Sequence, residues 1–246
     1  MLVAGLAALA AAYAADEDYR IENDMYPVNV CYNLVLAVER ADATAHYAET
    51  SAGFTFHARP THDAGEREIY VLVIGETARA MNFGIYGYSR DTTPMLSRTE
   101  GLTVFTDVLT QSNTTHKSVP MLLSAASAED YDRIYREKSI ITAFREAGFH
   151  TAFFSNQRPN RSFIDIFGME ADEWRFIKDG KDAEGNPSDD RLAELAEETI
   201  KKDYKKLFIV LHTYGSHFNY RERYPRSAAF FLPDNATEAV ASNRPE

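Results

Sequence analysis

The chain has 246 residues, which is enough for one domain of ordinary size with an appended segment. Hydrophobic residues make up 45% of it, so a substantial core can be buried and wholesale disorder is excluded. The net charge of -11 argues against nucleic acid as the main partner, and the single cysteine, Cys31, excludes both an internal disulfide and a cysteine-based zinc site.

The first 15 residues form an uncharged run that is rich in Ala and Leu. The run is shorter than the ~20 apolar residues that a spanning helix needs. It is either the core of a signal peptide or the tail of a transmembrane helix, and the charged stretch 16–20 disfavours an ordinary buried helix. We therefore expect a membrane-derived segment at 1–15, a membrane-proximal helix and linker at 16–66, and a globular domain at 67–246.

The globular part alternates strand and helix patterns, which predicts an α/β domain with a mostly parallel central sheet flanked by helices. The continuous apolar runs 69–74 and 207–211 are typical of parallel strands that are buried on both faces. Further strands are predicted at 102–109 and 150–154, and helices from 118 onward, at 139–147 and at 191–201, the last capped by Ser188 or Asp189. In such sheets chemistry collects where the carboxyl ends of the strands meet the loops.

Two polar positions follow the first two predicted strands. Glu76 lies two residues beyond the first strand and could bind a metal or act as a base, or it could be a helix-terminal acid with Thr77 as the cap. Thr114 and Thr115 precede a predicted helix, where the positive field of the helix terminus favours an alkoxide and an attached phosphate. The alternative for either threonine is a plain N-cap.

Two more polar clusters follow later strands. His212 and His217 stand beyond the last strand, which suits a metal site or an anion contact, although a lone histidine is more often structural. The stretch 156–161 carries amide side chains and two arginines that could hold a phosphate, or it is a solvated loop. All four clusters follow predicted strands, so they would meet at one edge of the sheet. Together their side chains predict metal-assisted phosphoryl transfer there.

The longest stretch of this pattern, YVLVIGETARAMNFGIYGYSRDTTPMLS at 70–97, resembles bacterial phosphoethanolamine transferases of the sulfatase/alkaline-phosphatase superfamily. The resemblance continues through TTHKSVP at 114–120, SNQ at 155–157 and LHTYGSH at 211–217. It implies an alkaline-phosphatase-like sandwich that forms a zinc-dependent periplasmic domain of a bacterial inner-membrane enzyme. Such an enzyme moves phosphoethanolamine from phosphatidylethanolamine onto lipid A, core saccharide or another envelope glycan.

The resemblance also implies roles for single residues. Glu76 matches the zinc-ligand glutamate, and Thr115 matches the threonine that ligates zinc and carries the phosphoethanolamine intermediate. His217 matches a histidine near the substrate phosphate or a second zinc. Arg161 stands where the family often has a lysine, and Gln157 where it often has an asparagine.

His212 joins His217, Arg161 and Gln157 as a candidate substrate-binding residue because it directly follows the last predicted strand. Thr114 is the less favoured nucleophile.

Two departures from the family pattern bear on function. Gln111 and Met121 stand where lipid A-modifying members have a disulfide, which puts the lipid A acceptor in doubt more than the chemistry. The family's Asp-His-Gly motif lies beyond residue 246, so we expect a C-terminally incomplete domain with at most half a metal site. The alternatives are a phosphatase- or sulfatase-like hydrolase that passes the group to water, and a non-catalytic envelope domain. A sulfatase proper is disfavoured because the C/S-x-P-x-R pattern is absent.

Overall fold

The structure is a computed structural model that describes residues 2–16, 18–62, 65–179, 187–217, 219–232 and 234. It divides into two compact units, residues 1–53 and 54–246. The division lies within the stretch 16–66 that we predicted as membrane-proximal helix and linker.

The first unit is helical. Its helices are α1 (Leu2–Ala15), α2 (Ile21–Asp24), α3 (Val28–Ala45) and α4 (Tyr47–Thr50). α3 leaves several apolar side chains exposed, among them Leu34 at 67% and Val38 at 62%. Within the described ranges, no helix combines the length and the apolar character that crossing a bilayer requires.

The second unit is built on a four-stranded sheet in the order β1-β4-β2-β3. The strands are β1 (Glu68–Ile74), β2 (His150–Ser155), β3 (Glu173–Phe176) and β4 (Lys206–His212). Every neighbouring pair is parallel, so all four carboxyl ends lie at one edge of the sheet. The prediction of a mostly parallel α/β domain is therefore confirmed.

The described part of the second unit also contains four α-helices. They are α5 (Thr115–Leu123), α6 (Ile140–Glu146), α7 (Phe163–Gly168) and α8 (Asp190–Ile200). Of these, α6 and α8 contact the sheet. α6 begins after Ser139, whose hydroxyl accepts a hydrogen bond from the backbone N–H of Ile141, and the chain leaves it through Gly148 with a left-handed φ of 83°. The apolar face of α8 packs on β2 and β4, where the buried residues are Ala152, Phe154, Leu192, Leu195, Ala196, Leu207, Ile209 and Leu211.

Two predictions about strands are wrong. The run 69–74 does form a strand, but β1 lies at an edge of the sheet and exposes Val71 at 46% and Val73 at 59% rather than being buried on both faces. An apolar run indicates a strand without indicating how many neighbours cover it. The segment 102–109 forms no strand, because it finds no partner in the described part of the sheet and leaves Phe105 and Leu109 exposed.

The segment that enters the second unit is attached to α6 through one carboxylate. Glu146 Oε1 accepts from Thr55 Oγ1 at 2.9 Å and from the backbone N–H of Phe56 at 3.0 Å, and Oε2 accepts from the backbone N–H of Ala58 at 3.0 Å. The hydrogen bond from Ala58, with those from Phe56 and Thr55, holds the pKa of Glu146 below its usual range. The residues before β1 are thereby fixed to the helical layer.

Candidate active site

Glu76 and Thr115 meet at the carboxyl edge of the sheet. Glu76 follows β1 and is buried, and Thr115 is the first residue of α5. Thr115 Oγ1 donates to Glu76 Oε2 at 2.9 Å, and Thr77 Oγ1 donates to Glu76 Oε1 at 2.6 Å. No helix begins at Thr77, so Glu76 is not a helix-terminal acid with a threonine cap. The carboxylate is instead held between two hydroxyl groups, one of which belongs to the predicted nucleophile.

The two neighbouring threonines have different surroundings. Thr114 occupies the N-cap position of α5, but its side chain makes no capping hydrogen bond, and its hydroxyl lies 3.2 Å from Ser112 Oγ. Thr115 lies inside the first turn, where unpaired backbone N–H groups create a positive field. Of the two hydroxyls, only that of Thr115 is hydrogen-bonded to Glu76.

The loop after β4 packs directly on the backbone of Glu76. Ser216 N donates to the Glu76 carbonyl oxygen at 3.0 Å. Gly215 has a φ of 44°, and a Cβ placed on it would lie 2.8 Å from the same oxygen. Only glycine fits at position 215, because the backbone there is left-handed and because a side chain would collide with the Glu76 backbone.

Asp189 ties three chain segments together beside this loop. Its Oδ1 accepts from Asn156 Nδ2 and from the backbone N–H of Tyr214, each at 2.8 Å, and its Oδ2 accepts from the backbone N–H of Gly215 at 2.8 Å. The sequence predicted a helix cap at Ser188 or Asp189. The Asp189 side chain makes no capping bond, whereas Ser188 Oγ accepts weakly from Asp190 N at 3.3 Å.

The two predicted histidines occupy different environments. His212 is fully buried, with Nδ1 3.1 Å from Ser155 Oγ, and its Nε2 has no hydrogen-bond partner in the described part of the chain. Burial lowers the pKa of His212 to about 4, against the opposing charges of Glu76 and Asp189, so the ring is neutral at pH 7. His217 is half-buried in the loop after β4, where its ring stacks on Tyr214 with centroids 4.7 Å apart.

A cavity of about 160 Å³ opens beside the predicted nucleophile. It is lined by Thr115, His116, Gln157, Arg158, Asn160, Ile164 and Asp165. Gln157 is held there by a 3.0 Å hydrogen bond from Nε2 to the Thr213 carbonyl oxygen. Arg161 is not among the lining residues; it turns the chain with a φ of 63°, and its backbone N–H donates to Asp165. Arg158 is the guanidinium that faces the cavity.

Sequence reasoning missed three residues of this edge. Asp165 lines the cavity, and burial raises its pKa although backbone N–H groups of Arg161 and Asn160 donate to it. Lys178 lies two residues beyond β3. Because functional residues collect at the carboxyl ends of parallel strands, Lys178 would have been a candidate if β3 had been predicted. Asp189 lies just before a predicted helix, and this position predicted a helix cap and no other role.

Zinc is the metal that the sequence resemblance implies, and the residues fit it only in part. The Glu76 carboxylate and the Thr115 hydroxyl offer two oxygen donors side by side. The described residues contain no group of three or more His, Cys, Asp or Glu side chains that could hold one ion. Because a zinc site in a protein takes about three or four protein ligands, these two oxygens alone do not make up such a site.

Named proteins with similar sequences are transferases. The chain is 31% identical over 198 residues to the Kdo(2)-lipid A phosphoethanolamine 7''-transferase of Escherichia coli K12, covering 74% of this chain and 32% of that protein. It is 28% identical over 182 residues to phosphoethanolamine transferase EptC of E. coli O18:K1:H7, covering 71% and 31%. The chain thus spans about a third of the length of these relatives. The predicted resemblance to phosphoethanolamine transferases is confirmed.

Solved structures agree on the fold. The C-terminal periplasmic domain of E. coli EptC, crystallised with Zn, superposes with a TM-score of 0.64 at 26% identity, covering 70% of this chain and 50% of that one. The integral membrane protein EptA of Neisseria meningitidis gives a TM-score of 0.71 at 21% identity, covering 95% and 44%. These matches confirm the predicted alkaline-phosphatase-like fold.

The sulfatase family model matches residues 68–244, a range that begins with β1 and contains all four strands together with Glu76 and Thr115. With most of the chain inside that match, the conclusion is that this protein belongs to the sulfatase family.

Proposed function

We propose that this chain carries the nucleophile and part of the metal site of a phosphoethanolamine transferase. The observation that carries the proposal is the 2.9 Å hydrogen bond from Thr115 Oγ1 to Glu76 Oε2, at the start of a helix and beside a polar cavity. The transferase names of similar proteins support this choice over other reactions of the family.

The proposed first step transfers the head group of phosphatidylethanolamine to Thr115. Thr115 Oγ attacks phosphorus and forms the new P–O bond, while the bond between phosphorus and the diacylglycerol oxygen breaks. Glu76 accepts the hydroxyl proton, which then passes to the departing diacylglycerol oxygen. The amino end of α5 stabilises the negative charge on the phosphoryl oxygens, and Arg158 lies in the same cavity to pair with them.

In the second step a hydroxyl of an envelope glycolipid or glycan, such as lipid A or lipopolysaccharide core, attacks the same phosphorus. The bond between phosphorus and the Thr115 oxygen breaks, and the proton that Glu76 takes from the attacking hydroxyl passes to the Thr115 oxygen. Gln157 lines the cavity, and Arg161 and His217 remain proposed substrate-binding residues. His212 was predicted to bind substrate as well, but it is buried, and its proposed role is to position the strand end.

The proposed cofactor is zinc, with Glu76 and Thr115 as two of its ligands. When bound, the ion lowers the pKa of the hydroxyl and offsets developing phosphoryl charge. The proposed location is the bacterial inner membrane with this domain in the periplasm. Support comes from the solved neighbours, one a periplasmic domain crystallised with Zn and one an integral membrane protein.

The proposal is tested by incubating the protein with phosphatidylethanolamine and zinc and mapping adducts by peptide mass spectrometry. We expect phosphoethanolamine on Thr115, no adduct in Thr115→Ala, and an unchanged adduct in the matched control Thr114→Ala. Circular dichroism should show the same fold in both variants. An adduct found on Thr114 alone would refute the assignment of the nucleophile, and release of free phosphoethanolamine without transfer to any acceptor would favour the hydrolase.

A further inference from the structure

Two cationic side chains lie against the ring of Tyr214, at the same edge of the sheet as Thr115. Lys178 Nζ is 3.1 Å from the ring centroid, and Arg223 Cζ is 4.2 Å from it. Tyr214 follows β4 by two residues, and its backbone N–H is fixed by Asp189. The cations are therefore held in place by an aromatic platform rather than extended into solvent.

Both cations are buried more deeply than their hydrogen bonding warrants. Lys178 is 7% exposed, and no hydrogen-bond or ion-pair partner for its Nζ lies within the ranges that the structure describes. The Arg223 side chain is 9% exposed, and its Nε is buried without a partner among the same residues. Arg223 Nη2 contacts Glu222 Oε2 at 3.2 Å, but the Glu222 side chain is 48% exposed. A buried donor left unsatisfied, as Arg223 Nε is among the described residues, is costly unless a ligand accepts from it.

Two arginines and two carboxylates influence the charge of Lys178. Burial, together with the charges of Arg223 and Arg158, lowers the pKa of Lys178 to about 8, against the opposing charges of Asp189 and Glu222. Asp189 already accepts three hydrogen bonds from Asn156, Tyr214 and Gly215, so its carboxylate is committed to the loop. Among the described residues, no carboxylate is therefore committed to Lys178, and an anion would complete this cluster.

We propose that Lys178 and Arg223 form a binding site for a phosphate group, with the phosphate monoester of a lipid or of a sugar as the ligand class. Lys178 supplies a compact charge, and Arg223 supplies the unpaired Nε donor together with its other guanidinium nitrogens. Arg158 connects the two regions, since it lines the cavity of Thr115 and is close enough to Lys178 to influence its charge. The identification of the bound phosphate as part of a substrate rests on the proposed function. The prediction that phosphate binds here does not depend on it.

Binding is measured on the full chain with a chelator present, so that metal-bound phosphate does not contribute. The protein is acetylated with trace reagent in the presence and absence of inorganic phosphate, and each lysine is quantified by peptide mass spectrometry. We expect phosphate to protect Lys178 and to leave Lys205 unchanged, because Lys205 precedes β4 at the opposite end of the strand. Calorimetry should show that Lys178→Met and Arg223→Gln each weaken phosphate binding by about tenfold or more, whereas Lys205→Met does not.

The source of the phosphate is distinguished by two further probes. Protection of Lys178 by glucose 1-phosphate but not by phosphatidylcholine vesicles with phosphatidic acid identifies a sugar phosphate, and the reverse identifies a lipid. Unprotected Lys178, or equal phosphate affinity in Lys178→Met and the wild type, overturns the proposal. These measurements and the test of the transferase proposal can fail separately. A chain that forms no adduct on Thr115 can still bind phosphate. Conversely, phosphate can fail to protect Lys178 in a chain that forms the adduct.

Discussion

Gly215 offers the most direct test of how the loop after β4 fixes Glu76. Its φ of 44° is left-handed, which costs a residue with a Cβ roughly 1–2 kcal/mol. The added Cβ would also lie 2.8 Å from the Glu76 carbonyl oxygen and 3.1 Å from its nitrogen, so backbone atoms must move. Overpacking of that kind costs about 1–3 kcal/mol. We expect Gly215→Ala to lower the free energy of unfolding by about 2–5 kcal/mol in total.

Gly87 provides a matched control. Its φ is 92°, and a Cβ placed there meets nothing within 4 Å, so Gly87→Ala carries only the left-handed cost of about 1–2 kcal/mol. Urea unfolding followed by circular dichroism measures both variants, and the difference between them isolates the contact with Glu76. Formation of the adduct on Thr115 should slow in Gly215→Ala and not in Gly87→Ala. Equal losses of stability in the two variants would refute the requirement for close approach.

Two other changes test separate parts of the molecule. Because the pKa of Glu146 is lowered in the folded state, its contribution to stability is present above the unfolded carboxyl pKa of about 4.5 and is lost as the pH falls through the lower folded value. Glu146→Gln should therefore reduce the pH dependence of the free energy of unfolding between these two pKa values. It should also speed hydrogen exchange at residues 54–58. Unchanged exchange at these residues would show that the carboxylate does not hold the segment. Glu76→Gln should weaken zinc binding by about tenfold or more in calorimetry, because it replaces a charged donor, with Thr114→Ala as the control. Undiminished binding would mean that other side chains hold the ion, and His212 would be the first candidate because its Nε2 is buried without a partner among the described residues.

Much of the sheet could be predicted because its central strands carry strong local signals. The run 207–211 is apolar throughout, 150–154 ends in Ala-Phe-Phe after a helix that stops at a glycine, and both form parallel strands. β3 was missed because Glu173–Phe176 has four residues that alternate polar and apolar, which is too short a pattern to separate from a loop. The error at 102–109 has the opposite origin, since its apolar residues resemble a strand but no neighbour in the described sheet pairs with them.

The candidate site was predictable where a residue's position along a strand decided its location. Glu76 and Thr115 were placed together by the rule that carboxyl ends of parallel strands share an edge, although the strand expected before Thr115 does not form. Asp189 could not be identified in this way, because an aspartate before a helix has the same sequence signature whether its side chain caps the helix or turns toward a loop. Only the packing of α8 against the loop after β4 decides between them.

The three hydrogen bonds accepted by Asp189 determine how this edge of the protein moves. The backbone N–H groups of Tyr214 and Gly215 can be released only by breaking bonds to a carboxylate, so the loop opens together with the start of α8 and not on its own. A surface loop would ordinarily sample many conformations and would have to be ordered when a ligand arrives. Here the ordering is already complete in the folded chain, so little conformational entropy remains to be lost when a ligand reaches Glu76.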